Sequence, residues 1–182
     1  MLMGQLPARF NQRPIVVVMG VSGCGKSSIA ADYASRLDLA FFEGDEYHPE
    51  GNVDKMSNGI ALTDEDRWPW LSVLGEAIGA AATKDGGAVA SCSSLKKSYR
   101  QHLADAIGQP VVFAYLHGSR ELLMSRMSAR ENHYMPTSLL DSQLDTLEKP
   151  GGDEPAITLS IDAPIENIVD ELQAAVAPLI VD

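Results

Sequence analysis

One stretch limits the possible folds more than any other: Pro14-Ile-Val-Val-Val-Met-Gly20-Val-Ser-Gly-Cys-Gly-Lys26-Ser27-Ser28. An apolar run from Ile15 to Met19 meets a segment that fills every fixed position of G-x-x-x-x-G-K-[S/T]. This reads as a buried strand, a tight turn, and a helix beginning near Gly25. Glycines at 20, 23 and 25 permit positive φ and remove the Cβ atoms that would block a close approach. The backbone of Gly20, Val21, Ser22, Gly23, Cys24, Gly25, Lys26, Ser27 and Ser28 is therefore the expected nucleotide cradle, with the helix's positive end behind it. In such a loop Lys26 reaches the β- and γ-phosphate oxygens and the Ser27 hydroxyl ligates Mg²⁺. The Cys24 thiol, near a helix N-terminus, is expected to be reactive, so that alkylating it blocks nucleotide binding.

Length and charge narrow the partners. A chain of 182 residues is one domain with room for one sizeable core. Residues 1–13 read as a flexible N-terminal arm without a signal-peptide core, and 14–182 as a single domain. No run approaches the roughly 20 apolar residues of a membrane span, so no membrane partner is expected. The two cysteines suggest no disulfide framework, which points to the cytoplasm. A net charge of −11 argues against a nucleic-acid surface. Cations needed for an anionic ligand must then be concentrated locally, and Lys26, Arg67, Lys96, Lys97, Arg100, Arg126 and Arg130 are the available set.

Apolar periodicity then alternates along the chain. Helical spacing follows the loop to Leu37, and Leu39 to Phe42 reads as a strand ending in the polar Glu43-Gly-Asp45-Glu-Tyr-His48-Pro49. Open α/β sheets put their ligands at such carboxyl ends. A short helix spans Asn52 to Met56. Thr63 opens a long helix to about Ala82, with Asp64, Glu65 and Asp66 placed favourably against its dipole. Strands are expected over Ala88–Cys92, Pro110–Leu116 and Ile157–Ile161. Helices are expected from a Ser93-Ser94 cap through Leu95–Ile107, then over 119–129, 138–147 and 165–176. The fold class is α/β: a five-stranded parallel sheet with helices on both faces.

The chain has neither an N-K-x-D guanine motif nor L-S-G-G-Q, and its third strand ends Val89-Ala-Ser-Cys-Ser-Ser94 with no acid. Carboxylates follow the second strand instead, at Glu43 and Asp45, which suits a small-molecule kinase. Here the chain resembles the bacterial-type gluconokinases, relatives of shikimate kinase. The matching segments run from G-V-S-G-C-G-K-S at 20–27 through E-G-D-E-Y-H-P at 43–49 and N-V-D-K-M-S-N-G at 52–59. They continue with L-T-D-E-D-R-W-P-W-L at 62–71, C-S-S-L-K-K-S-Y-R at 92–100, S-R-M-S-A-R-E-N-H-Y-M-P at 125–136 and P-G-G-D-E at 150–154. Glu43 stands where the family usually has aspartate, and Ala61 where it usually has proline.

The resemblance implies a three-layer P-loop kinase fold with a mobile lid at about 128–142, and ATP-dependent phosphorylation of gluconate at its terminal hydroxyl, in a cytoplasmic homodimer. It makes Asp45 the group that orients and deprotonates that hydroxyl, Lys26 and Arg130 its cationic partners in catalysis, and Arg126 a support for adenine or the lid. Ser27 and Glu43 are the expected Mg²⁺ residues. An anionic polyol needs cations and hydrogen-bonding groups, for which His48, Arg67, Lys96 and Arg100 are the candidates. Blander roles remain open: an ion pair of Arg67 with Asp64 or Glu65, a helix cap for His48, and a solvated face for Lys96, Lys97 and Arg100. A kinase of the same fold acting on shikimate or another polyol acid, and a nucleotide-binding module without transfer activity, are the competing functions.

Overall fold

The computed structural model describes residues 9–11, 13–129 and 137–181. In chain order the elements are β1 (Phe10–Asn11), β2 (Ile15–Met19), α1 (Lys26–Leu37), β3 (Phe41–Glu43), a 3-10 turn (Gly44–Tyr47), α2 (Glu50–Ser57) and α3 (Asp64–Asp85). They continue with β4 (Ala88–Ser91), α4 (Lys97–Ile107), β5 (Val112–His117), α5 (Arg120–Ser128), α6 (Thr137–Thr146), β6 (Ala156–Ser160), α7 (Ile165–Val176) and β7 (Ile180–Val181). Among the described residues no helix is long and apolar enough to cross a membrane.

The main sheet is parallel and five-stranded, in the order β3-β4-β2-β5-β6. β2 lies at its centre, which is why all of Ile15–Met19 is apolar and buried rather than alternating. The chain runs outward from β2 to β3, returns to β4, and then crosses to β5 and β6. With right-handed crossovers, that reversal sends α1 to one face and α3 and α4 to the other. α1 packs against α7, and α3 against α4. The second contact is close because α3 carries glycines there: a Cβ on Gly79 would stand 2.4 Å from the Ile107 carbonyl oxygen.

Register positions the site. Val18 and Glu43 both lie beside Ser91, and Met19 beside Tyr115, so the carboxyl ends of β2, β3, β4 and β5 are nearly level. The loops leaving them therefore converge at one edge.

Several elements depart from the expectations above. β3 begins at Phe41 rather than Leu39. Within the expected arm, Phe10–Asn11 pairs in parallel with Ile180–Val181, and Phe10 is buried. Ser93 and Ser94 do not cap α4: its N-cap is Lys96, and the Lys97 amide donates instead to Glu148 Oε2 at 2.8 Å. Ser94 is buried with φ at 46°. The Thr63 cap is present as a reciprocal box: Thr63 Oγ1 accepts from the Asp66 amide, and Asp66 Oδ2 from the Thr63 amide.

Candidate active site

The glycine-rich turn joins β2 to α1 as its spacing requires. Gly25 caps α1 with φ at 90°, a left-handed conformation that a side chain would strain. Gly23 lies against α5, where a Cβ would come 2.8 Å from Met127 Cγ. Lys26 folds back so that Nζ donates to the Val21 carbonyl at 3.0 Å. The Gly20 amide donates to the Ser93 carbonyl at 3.2 Å, tying the turn to the loop after β4. The Ser22 amide is taken at 2.7 Å by the side-chain oxygen of Gln143 on α6. Cys24 corrects an expectation: its side chain is fully buried beneath the turn, so alkylation from solvent is blocked by packing and not favoured by the helix end.

A cavity of about 400 Å³ opens above this turn, bounded by Ser22, Gly23 and residues 25–27 of the turn and by Asp45, His48, Arg67, Trp70 and Ser93. Lys26 and Ser27 stand at one end of it, and Asp45 and His48 at the end formed by the chain after β3. The close approach of the two ends depends on Gly44, where a Cβ would collide with the Ser91 carbonyl at 2.2 Å. The Asp45 side chain is 81% exposed at the cleft, with Oδ1 4.0 Å from His48 Nε2. His48 is the opposite case. Its side chain is 3% exposed and its ring stacks on Trp70 at 3.8 Å. Burial pushes its pKa down to about 4, opposed by the Asp45 charge and assisted by Arg67.

The predicted cations divide. Arg67 reaches the cavity wall, held there by a 2.7 Å hydrogen bond to Tyr99 Oη and lying 5.0 Å from that ring's centre. It does not pair with Asp64. Tyr99 Oη donates to Asp64, whose carboxylate also takes Lys96 at 3.1 Å, and those two bonds hold its pKa below the usual range. Lys96 is thus behind Arg67 and outside the cavity lining, while Lys97 turns away to Asp153 at 2.5 Å. Arg100 is a correction. It is 2% exposed, grips Glu154 with Nε and Nη2 at 2.6 and 3.0 Å, and gives Nη1 to the Ser94 and Leu95 carbonyls. Four of its five N–H donors are engaged in this way, and the side chain is not among those that bound the cavity. The guanidinium instead braces the loop that presents Ser93.

Arg126 donates to the Ile161 carbonyl at 2.6 Å. Glu43, at the end of β3, accepts from Ser91 Oγ at 2.6 Å. Arg130 lies outside the described residues, as does the stretch 130–136 of the expected lid. Sequence reasoning misses Asn52, Trp70, Ser93 and Gln143 as site residues. Gln143 meets Ser22 across 121 residues of chain, and no local pattern announces such a pair.

What the arrangement offers is an amide-lined anion cradle with a lysine, facing a carboxylate, an imidazole and a guanidinium across one cleft. Comparison with known proteins agrees. Residues 15–150 match a family model described as an AAA domain. The chain is 46% identical to a gluconokinase of Gluconobacter oxydans (strain 621H), over 86% of this chain and 88% of that one. It is 43% identical to the thermosensitive gluconokinase of Escherichia coli (strain K12), over 88% and 86% respectively. The crystal structure of a gluconokinase from Sinorhizobium meliloti 1021 superposes with a TM-score of 0.83 at 45% identity, covering 94% of each chain.

Proposed function

The chain belongs to the gluconokinase family of P-loop phosphotransferases, and on that premise we propose that it moves the γ-phosphate of ATP to the terminal hydroxyl of D-gluconate, giving 6-phospho-D-gluconate and ADP. The observation that carries this reading is the meeting of Lys26 and Ser27 with Asp45, His48 and Arg67 in one cavity.

Phosphoryl transfer asks a protein mainly to align its reactants and neutralise charge. Lys26 leaves the Val21 carbonyl to meet the β- and γ-oxygens, while the turn's amides hold the phosphates. Ser27 and Glu43 offer hard oxygen donors of the kind Mg²⁺ takes when substrate phosphates and water complete its shell. Bound there, Mg²⁺ supplies charge neutralisation on the phosphate oxygens. Asp45 accepts the proton of the attacking hydroxyl, and its exposure at the cleft supports a group that an entering substrate can reach. Arg67, preset by Tyr99, provides a guanidinium for the gluconate carboxylate. The family resemblance also implies a cytoplasmic homodimer, which light scattering and cell fractionation check.

ADP release measured with gluconate, shikimate and related sugar acids tests the reading: gluconate is turned over well and shikimate is not. Asp45→Asn keeps the volume and removes the base, so kcat falls by about a hundredfold or more while ATP affinity is unchanged. Turnover of Asp45→Asn near the wild-type rate rules out that carboxylate as the base.

A further inference from the structure

Asn52 is a buried polar residue on α2, 4% exposed, and no step of the phosphoryl transfer uses it. Its side-chain nitrogen lies 2.9 Å from the Asp66 carbonyl oxygen and 3.2 Å from His48 Nδ1. A carbonyl oxygen can only accept, so the atom facing Asp66 is the amide nitrogen and not the amide oxygen. One of its hydrogens serves Asp66 and the other serves Nδ1. A ring nitrogen that accepts a hydrogen bond carries a lone pair, so the neutral ring's proton must sit on Nε2.

From this we propose that Asn52 is a positioning residue: it holds His48 as the Nε2–H tautomer, so that a neutral imidazole donates a hydrogen bond to a substrate hydroxyl beside Asp45. Stacking on Trp70 fixes the plane of the ring, and Trp70 is itself anchored by Nε1 donating to the Gly44 carbonyl at 2.8 Å. Nε2 points towards Asp45 Oδ1 across 4.0 Å, too long for a direct hydrogen bond. A hydroxyl oxygen about 2.8 Å from each can bridge that gap, accepting from Nε2–H and donating to the carboxylate. Neither other form of the ring does this. The Nδ1–H tautomer would aim a lone pair at the carboxylate, and an imidazolium would hold Asp45 in an ion pair and compete for the lone pair that takes the proton. Burial, which keeps the ring neutral at ordinary pH, acts in the same direction.

The inference rests on the reading that Asp45 receives the acceptor's proton, and its test is separable from that reading. In full-length protein labelled with ¹⁵N-histidine, the His48 signals are identified by their loss in His48→Gln. At pH 7 the expected pattern is an unprotonated Nδ1 and a protonated Nε2. The reverse tautomer, or an imidazolium, overturns the proposal even if the enzyme phosphorylates gluconate. A wild type that is inactive on gluconate, yet carries the expected pattern, removes the acceptor assignment and not the tautomer. Asn52→Asp replaces the donor by an acceptor and so draws a proton onto Nδ1. The expected result is a changed ¹⁵N pattern and a kcat/KM for the acceptor down roughly tenfold, the worth of one hydrogen bond, with ATP affinity unchanged. An unchanged ¹⁵N pattern in that variant overturns the proposal. Should Asn52→Asp fail to fold, the wild-type spectrum alone decides.

Discussion

At the scale of single residues, Arg100 shows how charge clustering misleads. Lys96, Lys97 and Arg100 sit together in sequence, but Lys96 pairs with Asp64, Lys97 with Asp153, and Arg100 is buried against Glu154. A buried guanidinium is tolerable only when its donors are matched, and Glu154 matches two of them. Burial alone would raise the Glu154 pKa, yet the bonds from Arg100 and the Gly151 amide bring it below its ordinary 4.5. A depressed carboxyl stabilises the fold fully above its unfolded pKa and loses that contribution as pH falls through the folded value. Glu154→Gln, which mimics the protonated acid, is therefore expected to cost about 3 kcal/mol at pH 7. In urea titrations the gap to wild type narrows as pH drops below 4.5. A gap independent of pH would mean that the charge on Glu154 contributes nothing.

At the scale of elements, local chemistry and packing have unequal shares. The start of α3 is readable because a threonine followed three residues later by an aspartate is a complete local device, and its two hydrogen bonds are both present. The start of α4 is not, because its acceptor is Glu148, which follows α6. Helical glycines make the same contrast measurable. Gly51 on α2 has open space where a Cβ would stand, with no atom within 4 Å, so Gly51→Ala should stabilise the protein by about 0.5–1 kcal/mol through helix propensity alone. Gly79→Ala gains the same propensity but drives a methyl into the Ile107 carbonyl, 2.4 Å away. Overpacking of that kind costs about 1–3 kcal/mol, and α3 cannot retreat without disturbing its contact with α4. Thermal unfolding should move in opposite directions for the two variants. A stabilised Gly79→Ala would show that the two helices have slack.

At the scale of the whole molecule, Phe10–Asn11 and Ile180–Val181, distant in sequence, both belong to the fold. β1 and β7 pair with each other and not with the main sheet, and Phe10 is 4% exposed within the core. Phe10→Ala is expected to cost about 3 kcal/mol in global stability, seen as a lower midpoint of a single cooperative transition. Loss of the tail alone, with the core melting unchanged, would contradict that coupling. These strands are two residues long and have no periodicity to read, so sequence patterning does not reveal them. What the sequence determined by itself was whatever is encoded by neighbours along the chain: the phosphate turn, the alternation of strand and helix, the α3 cap, and the acids after β3. Tertiary structure decided which cations face the cleft, that Cys24 is sealed beneath the turn, and that Asn52, Gln143 and Glu148 matter. Gln143 and Glu148 meet partners distant in sequence, Asn52 reaches Asp66 as well as the nearby His48, and direction in space is set by packing, which spacing along a chain does not record.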